Sequence, residues 1–189
     1  MIVIGGSLGS MTALRTILRK LPVSFPLPIA VVVHRHRESD DALVPLLQRE
    51  IALPVHEVLD KDPIQAGQVQ VGPCDYHLLV EPMYFSLSTD EPVQYARPSI
   101  DVFFESAADV LGSRAIGVIL TGANRDGARG AAEIRRRGGT IIVQDPHTAE
   151  SSIMPAAALE TVPDALVRRA EDIGQSLIEL AAASLSRHD

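Results

Sequence analysis

Short aliphatic runs that alternate with helix-length amphipathic segments constrain the fold of this chain more than any other feature. Three of the runs are almost entirely apolar, as expected of strands buried on both faces of a sheet: Ile29–Val33, 115–120 and Thr140–Gln144. Segments with apolar residues at helical spacing precede or follow them, for example 10–20 and 126–137. This alternation predicts an α/β fold, with a doubly wound, mostly parallel sheet and helices on both faces.

The other elements follow the same pattern. We expect further strands at residues 1–4, 55–59 and 68–71, and an antiparallel hairpin over residues 77–88, where polar and apolar residues alternate. We expect further helices at 39–50, 99–111, 155–160 and Ala170–Leu185, with Ser99 or Asp101 as a cap of the second. No repeat or linker-like break divides the chain, so residues 1–189 are predicted to form a single domain.

The composition excludes several classes of protein. With 46% hydrophobic residues the chain is too apolar to be disordered, yet it has no apolar stretch near the ~20 residues of a membrane span. The net charge of −7 argues against a general nucleic-acid binder. A single cysteine, Cys74, excludes an internal disulfide framework. Together with an N-terminus that lacks the basic region of a secretory signal, it favours a cytoplasmic setting.

A serine stands where the first predicted strand ends. Gly5, Ser7 and Gly9 match the G-x-S-x-G pattern of a nucleophile elbow, in which a sharp strand-to-helix turn exposes the serine hydroxyl. The amide groups that follow such a serine can face a developing oxyanion. The same residues also fit a plain glycine-rich turn, or a phosphate-binding turn with Ser7 as the helix cap, although neither lysine of the chain is placed as a P-loop lysine.

Two further polar residues follow two other predicted parallel strands. His34, after the second strand, is well placed to be a general base, whereas His36 fits an ordinary polar residue at a strand end. Asp126 taken alone is typical of a residue that stabilises a helix N-terminus. Because parallel strands end at the same edge of a sheet, Ser7, His34 and Asp126 together predict a triad. The histidines show no metal-ligand spacing, so no metal is expected.

Several motifs in the same order resemble the catalytic domain of the chemotaxis protein-glutamate methylesterases, the CheB type. They span nearly the whole chain: IGGSLGS (4–10), VVVHRH (31–36), VGPCDYHLLV (71–80), ARPSIDVFFESAA (96–108), GVILTGANRDGARG (117–130) and GGTIIVQDPHTAESSIMPAAAL (138–159). The resemblance implies hydrolysis of glutamyl methyl esters on the cytoplasmic helices of methyl-accepting chemoreceptors, and also deamidation of receptor glutamine. It implies no cofactor.

The resemblance also implies roles for individual residues. Ser7 would attack the ester carbonyl, His34 would take and return the proton, and Asp126 would orient His34. Around these three the family pattern implies a shell that contacts substrate or the oxyanion, formed by Leu8, Gly9, His77, Ala123 and Met154. A strand-edge position for His77 and a gap-filling role for Met154 are the structural alternatives.

The chain departs from the family pattern within that shell and directly beside it. Leu8 stands where the family usually has threonine, Ser10 where it has glycine, and Ala123 and Asn124 where it has methionine and glycine. Because loss of one oxyanion donor can slow a reaction about 100–1000-fold, a weak or inactive homologue that binds a receptor or signalling partner remains an alternative.

Two further expectations concern partners and domains. Arginines in the motif loops predict a basic rim that would attract an acidic receptor helix, with scattered solvated side chains as the alternative: Arg35, Arg37, Arg97, Arg125 and Arg129. The family normally carries an N-terminal receiver domain, and no part of these 189 residues resembles one. A stand-alone domain and a fragment of a longer protein both fit that observation.

Overall fold

The computed structural model describes residues 1–35 and 43–185. Its strands are β1 (Ile2–Gly6), β2 (Ile29–Val33), β3 (Val55–Glu57), β4 (Val69–Val71), β5 (His77–Val80), β6 (Phe85–Ser88), β7 (Ile116–Ile119), β8 (Thr140–Gln144) and β9 (Leu166–Arg168). Its helices are α1 (Ser10–Leu18), α2 (Leu43–Gln48), α3 (Ile100–Leu111), α4 (Ala128–Arg136), α5 (Ile153–Thr161) and α6 (Ala170–Leu185). His36, Arg37 and the predicted start of the helix at 39–50 lie outside the described residues.

One sheet organises the molecule. Seven strands lie in the order β3-β4-β2-β1-β7-β8-β9, and every neighbouring pair is parallel. Strands β5 and β6 form a separate antiparallel pair, as the alternation over residues 77–88 predicts. The predicted fold class, a mostly parallel α/β sheet with an antiparallel hairpin, is confirmed.

Helices cover both faces of the sheet. On β1, Ile2 and Ile4 point into the layer that holds α1, α2 and α6, whereas Val3 points into the layer that holds α3, α4 and α5. This two-residue alternation buries both faces of the central strands, which explains why their sequences are continuously apolar. The hairpin packs against α3 through Leu78, Val80 and other apolar residues.

Three local differences from the sequence prediction have physical causes. Helix α5 begins at Ile153, two residues before Pro155. Proline is tolerated there because the N–H of a first-turn residue has no hydrogen-bond partner within the helix. Helix α4 begins at Ala128, after Gly127 adopts a φ of 94°, so Asp126 precedes the helix instead of starting it. Strand β9 was not predicted, because three edge residues that are half-buried or exposed carry little apolar signal.

Candidate active site

The candidate site lies where the order of the sheet reverses. From β1 the chain proceeds through β2 toward β4 and β3, and later returns to β7 on the other side of β1. Beyond the carboxyl ends of β1 and β7 such a reversal leaves a crevice, the usual ligand site of an open α/β sheet. Ser7 follows β1, His34 follows β2 and Asp126 closes the loop after β7, so the sheet gathers all three at this edge.

Backbone hydrogen bonds fix the turn that carries Ser7. The Ser7 N–H donates to the carbonyl of Thr121 at 3.0 Å, and the Ser7 carbonyl accepts from the N–H of Ser10 at 3.0 Å. Gly9 has a φ of 78°, and a Cβ placed there would lie 2.5 Å from the Glu150 carboxylate. Both facts require glycine at this position, which makes the turn tight enough to start α1 three residues after Ser7.

Asp126 is a fully buried carboxylate that accepts four hydrogen bonds. His34 Nε2 lies 2.8 Å from its Oδ2, and the N–H of Ile100 donates to the same oxygen at 2.7 Å. The hydroxyl of Ser99 and the N–H of Asp101 donate to Oδ1, each at 2.9 Å. Two of these donors are the first amides of α3, so the carboxylate also sits at the positive end of that helix.

These contacts settle the charge of Asp126. Burial on its own would raise the pKa of this carboxyl group. The hydrogen bonds from His34 and from the amides of Asp101 and Ile100 outweigh burial and hold the pKa below its ordinary value. The group is therefore an anion near neutral pH, able to orient His34 and to stabilise a positive charge on its ring.

A cavity of about 500 Å³ opens over the site. Its described lining consists of Ser7, Leu8, His34, Arg35, Gln94, Tyr95, Ala96, Arg97, Pro98 and Asn124. No carboxylate occurs among these lining residues, and both charged side chains are arginines. Ser7 and His34 thus share one cavity whose described lining contains two arginines and no carboxylate, although Arg35 also pairs with Glu57 at 3.2 Å.

Only part of the predicted basic rim is found among the described residues, because Arg37 lies outside them. Of the arginines considered, Arg35 and Arg97 line the cavity. Arg125 pairs with Glu160 at 2.6 Å and Arg129 with Glu105 at 2.5 Å, and neither lines the cavity. Arginines that pair with nearby carboxylates contribute little net field. Arg35 also pairs with Glu57, at 3.2 Å, whereas Arg97 donates to the carbonyls of Thr89 and Asp90. Among the described lining residues, Arg97 is therefore the arginine that contributes most to the positive character of the site.

The structure separates the predicted shell residues by depth. Leu8 is 55% exposed and lines the cavity, beside Gly9, and Ala123 is exposed in the loop before Asn124. His77 is buried outside the lining, where its Nδ1 accepts from the Ser99 N–H at 3.1 Å and its Nε2 lies 3.2 Å from the Glu91 carbonyl. His77 therefore supports Ser99 and, through it, Asp126.

Met154 is also buried, behind the loop that carries Asp126. Its N–H donates to the carbonyl of Gly122 at 2.9 Å, and its side chain packs so closely that a Cβ on Gly122 would lie 2.6 Å from its Cε. The side chain thus packs against this loop from below, as a flexible thioether is suited to do.

Sequence reasoning missed two contacts of the site. Ser99, considered only as a helix cap, donates to Asp126. Asn124, noted only as a departure from the family pattern, lies with its Nδ2 3.2 Å from His34 Nδ1. The cap pattern before α3 was the available signal for Ser99, whereas nothing in the sequence indicates that Asn124 reaches His34.

Two properties of the described residues bear on other functions. Within 1–35 and 43–185, no group of three or more His, Cys, Asp or Glu side chains is arranged to hold a metal ion. In the same ranges, no helix combines the length and the apolar character needed to cross a membrane.

Comparison with known proteins identifies the family. The family model described as CheB methylesterase matches residues 2–177. A Leptospira interrogans protein, provisionally named protein-glutamate methylesterase/protein-glutamine glutaminase, is 43% identical over 98% of this chain and 97% of its own length. The crystal structure of the Thermotoga maritima CheB methylesterase catalytic domain is 34% identical, with a TM-score of 0.92 over 95% of this chain and 97% of that one.

Other relatives are longer. An Anaeromyxobacter dehalogenans protein-glutamate methylesterase/protein-glutamine glutaminase is 40% identical over 95% of this chain, which spans 52% of that relative. The chain belongs to the CheB methylesterase family and is an enzyme of the methylesterase class, a carboxylic ester hydrolase.

Proposed function

We propose that Ser7, His34 and Asp126 form a catalytic triad that hydrolyses glutamyl methyl esters on the cytoplasmic helices of methyl-accepting chemoreceptors. The observation that carries the proposal is the 2.8 Å contact between His34 Nε2 and the buried Asp126 carboxylate, beside a cavity that Ser7 also lines. A serine hydrolase needs a histidine that can take the proton of the serine, and a buried, ionised carboxylate that orients this histidine. A glycine-flanked turn is suited to expose the serine.

The residues divide the reaction between them. Ser7 Oγ attacks the ester carbonyl while His34 Nδ1 takes its proton, because Nε2 is engaged by Asp126. The tetrahedral intermediate collapses as His34 returns the proton to the methoxy oxygen, and methanol leaves an acyl-enzyme. Water then attacks the acyl group with the same proton transfers, which restores glutamate and free Ser7. Asp126 offsets the positive charge that His34 carries in both steps.

The main chain supplies candidates for the oxyanion donors. Among the described residues the N–H groups of Leu8 and Gly9 donate to no acceptor, and they precede the N-terminus of α1. Ala123 lies in the exposed loop on the other side of the crevice. Donors from the main chain do not depend on side-chain identity, so the substitutions at Leu8 and Ala123 are compatible with a working oxyanion site.

The charge around the cavity supports an acidic protein substrate. Arg97 lines it and donates to two backbone carbonyls, and Arg35 lines it while pairing with Glu57, although the chain as a whole has a net charge of −7. A positive entrance favours approach of an acidic receptor helix, whereas the net negative charge of the chain disfavours nucleic acid on the rest of the surface. We place the reaction in the cytoplasm, where such helices lie. The proposal includes deamidation of receptor glutamine, because the same acyl-enzyme would form with loss of ammonia. In this proposal residues 1–189 act as a single methylesterase domain.

A direct test measures methanol released from a receptor cytoplasmic fragment that has been methylated with a radiolabelled methyl group. Ser7→Ala should reduce kcat at least about 10⁴-fold, and His34→Ala should do nearly the same, because members of a triad act as a unit. Ser10→Ala is the matched control, since Ser10 is a buried serine three residues away whose described neighbours leave its hydroxyl without a hydrogen bond. Turnover that survives Ser7→Ala disproves the nucleophile. Receptor binding without turnover in the unmodified protein supports the binding-module alternative.

A further inference from the structure

Asn124 closes a ring of three hydrogen bonds around the proposed base. The N–H of Asp126 donates to Asn124 Oδ1 at 3.1 Å, Asn124 Nδ2 lies 3.2 Å from His34 Nδ1, and His34 Nε2 lies 2.8 Å from Asp126 Oδ2. Asn124 is half-buried and lines the same cavity as Ser7. The ring therefore occupies the imidazole nitrogen that the proposed reaction uses.

The direction of each bond in the ring is fixed by chemistry. A backbone N–H can only donate, so the Asn124 atom that faces Asp126 must be the amide oxygen. The atom that faces His34 is then the NH₂ group, which can only donate, and His34 Nδ1 must accept with its lone pair. From the other side, the ionised Asp126 carboxylate can only accept, which places the ring proton on Nε2. Both ends of the ring require the same tautomer.

We propose that Asn124 is a positioning residue that holds His34 in its Nε2–H tautomer and covers the basic Nδ1 lone pair until substrate enters. The proposal rests on the proposed function only in taking Nδ1 as the atom that receives the Ser7 proton. When that transfer occurs, Nδ1–H and the Asn124 NH₂ would both be donors. The Asn124 amide must therefore turn away, and the cavity that it lines gives it room to do so.

The proposed hydrogen bond to the Nδ1 lone pair depends on having asparagine at position 124. Glycine, which stands here in the family pattern, has no side chain that could reach Nδ1, and alanine has none either. Aspartate would reverse the polarity, because its carboxylate would accept a bond from a protonated Nδ1. These alternatives give three substitutions with two expected signatures, one shared by alanine and glycine and one for aspartate.

The tautomer can be measured without any substrate. In protein labelled with ¹⁵N-histidine, long-range ¹H–¹⁵N correlations distinguish a protonated from an unprotonated ring nitrogen, and His34→Ala identifies the resonances. We expect a protonated Nε2 and an unprotonated, hydrogen-bonded Nδ1 at pH 8. The Nδ1 resonance should shift in Asn124→Ala and Asn124→Gly, and Nδ1 should become protonated in Asn124→Asp. Arg125→Ala, in the same loop and paired with Glu160, is the control that should leave the His34 signals unchanged.

Kinetics test whether the hydrogen bond from Asn124 to His34 Nδ1 must break during the reaction. Asn124→Ala should raise kcat about 2- to 10-fold with KM unchanged, the equivalent of one neutral hydrogen bond that no longer has to break, and Asn124→Asp should lower kcat at least about 10-fold. An unchanged Nδ1 resonance in Asn124→Ala, or a fall in its kcat, overturns the proposal. If the unmodified protein hydrolyses no methyl ester, the proposed function fails, and the ¹⁵N measurement still decides whether Asn124 donates a hydrogen bond to His34 Nδ1.

Discussion

At the scale of single residues, Thr121 connects the parts of the site. Its carbonyl accepts from the Ser7 N–H at 3.0 Å, and its own N–H donates to Gln144 Oε1 at 2.9 Å. Its hydroxyl donates to the Leu8 carbonyl at 2.9 Å and accepts from the Ser151 N–H at 2.9 Å. One buried residue thereby holds the Ser7 turn against β8 and the loop before α5.

Two substitutions of Thr121 distinguish the contribution of its hydroxyl from that of its volume. Thr121→Val has nearly the same volume but leaves the Leu8 carbonyl and the Ser151 N–H without this partner. We expect the free energy of unfolding to fall by about 1–3 kcal/mol, with a lower kcat because the Ser7 turn loses a restraint. Urea unfolding and esterase assays at one pH measure both effects. Thr121→Ser keeps the hydroxyl and should remain closer to the unmodified protein in kcat, and the reverse order would contradict the hydroxyl's role.

Individual residues of the site were predictable from sequence to different degrees. Ser7 and His34 directly follow strands of recognisable pattern, so their common location follows from the parallel sheet alone. Ser99 and Asn124 reach the site through a loop and a turn, whose side-chain directions depend on how α3 and α4 pack. Strand patterning contains no information about that packing, which is why their contacts appear only in the structure.

At the scale of elements, α3 and α4 cap each other. Asp126, which precedes α4, accepts from the first amides of α3 at Ile100 and Asp101. Asp101, in the first turn of α3, accepts from the amides of Gly127 and Gly130 at the start of α4, each at 2.9 Å. The N-terminal region of each helix thus supplies the carboxylate that satisfies the other's N-terminal N–H groups, and the proposed catalytic aspartate is one half of this exchange.

Asp101 is the half that can be altered without touching His34. Asp101→Ala leaves two buried N–H groups without an acceptor and should lower the free energy of unfolding by at least about 2 kcal/mol. Asp101→Asn keeps an amide oxygen in place for both groups and should change it by less than about 1 kcal/mol at pH 7. Urea denaturation followed by circular dichroism compares them, and equal losses in the two variants would show that the charge, not the acceptor, matters.

The same residue predicts a pH dependence of stability. Burial raises the pKa of Asp101, the N–H of Gly130 opposes this, and the charge of Asp126 adds to it. Because the folded pKa lies above the unfolded one, the ionised form costs stability at neutral pH, and this cost disappears as the pH falls below the unfolded value, near 4.

The comparison with Asp101→Asn isolates that effect. The unfolding free energy of the unmodified protein minus that of Asp101→Asn should rise as the pH falls from 7 to about 4. In an Asp126→Asn background the rise should be smaller, because one cause of the raised pKa is gone. Urea titrations at four or five pH values give the slopes. A difference that falls with decreasing pH would contradict the direction of the Asp101 shift.

At the scale of the whole molecule, the sequence predicted the layers but not the order of the strands. Continuous apolar runs such as Ile29–Val33 require a sheet covered on both faces, and the structure has one. No local sequence pattern indicates that β7 lies beside β1 and not beside β4, although the pairing of β7 with β1 creates the crevice. The motif resemblance supplied that information indirectly, since it places Ser7 and Asp126 in one site.

The contrast between an acidic molecule and a positively lined cavity predicts how salt affects catalysis. The chain has a net charge of −7 overall, and its cavity is lined by Arg97 and by Arg35, the second of which pairs with Glu57. Approach of an acidic receptor fragment therefore depends on a local field that salt screens. Raising NaCl from about 20 to 300 mM, which shortens the Debye length severalfold, should lower kcat/KM for the receptor fragment. A small uncharged methyl ester serves as the matched control, because its encounter with Ser7 needs no steering and its kcat/KM should change little. Equal salt dependence for the two substrates would show that the arginines do not guide the receptor, and an increase for the receptor fragment would indicate that the net negative charge outweighs them.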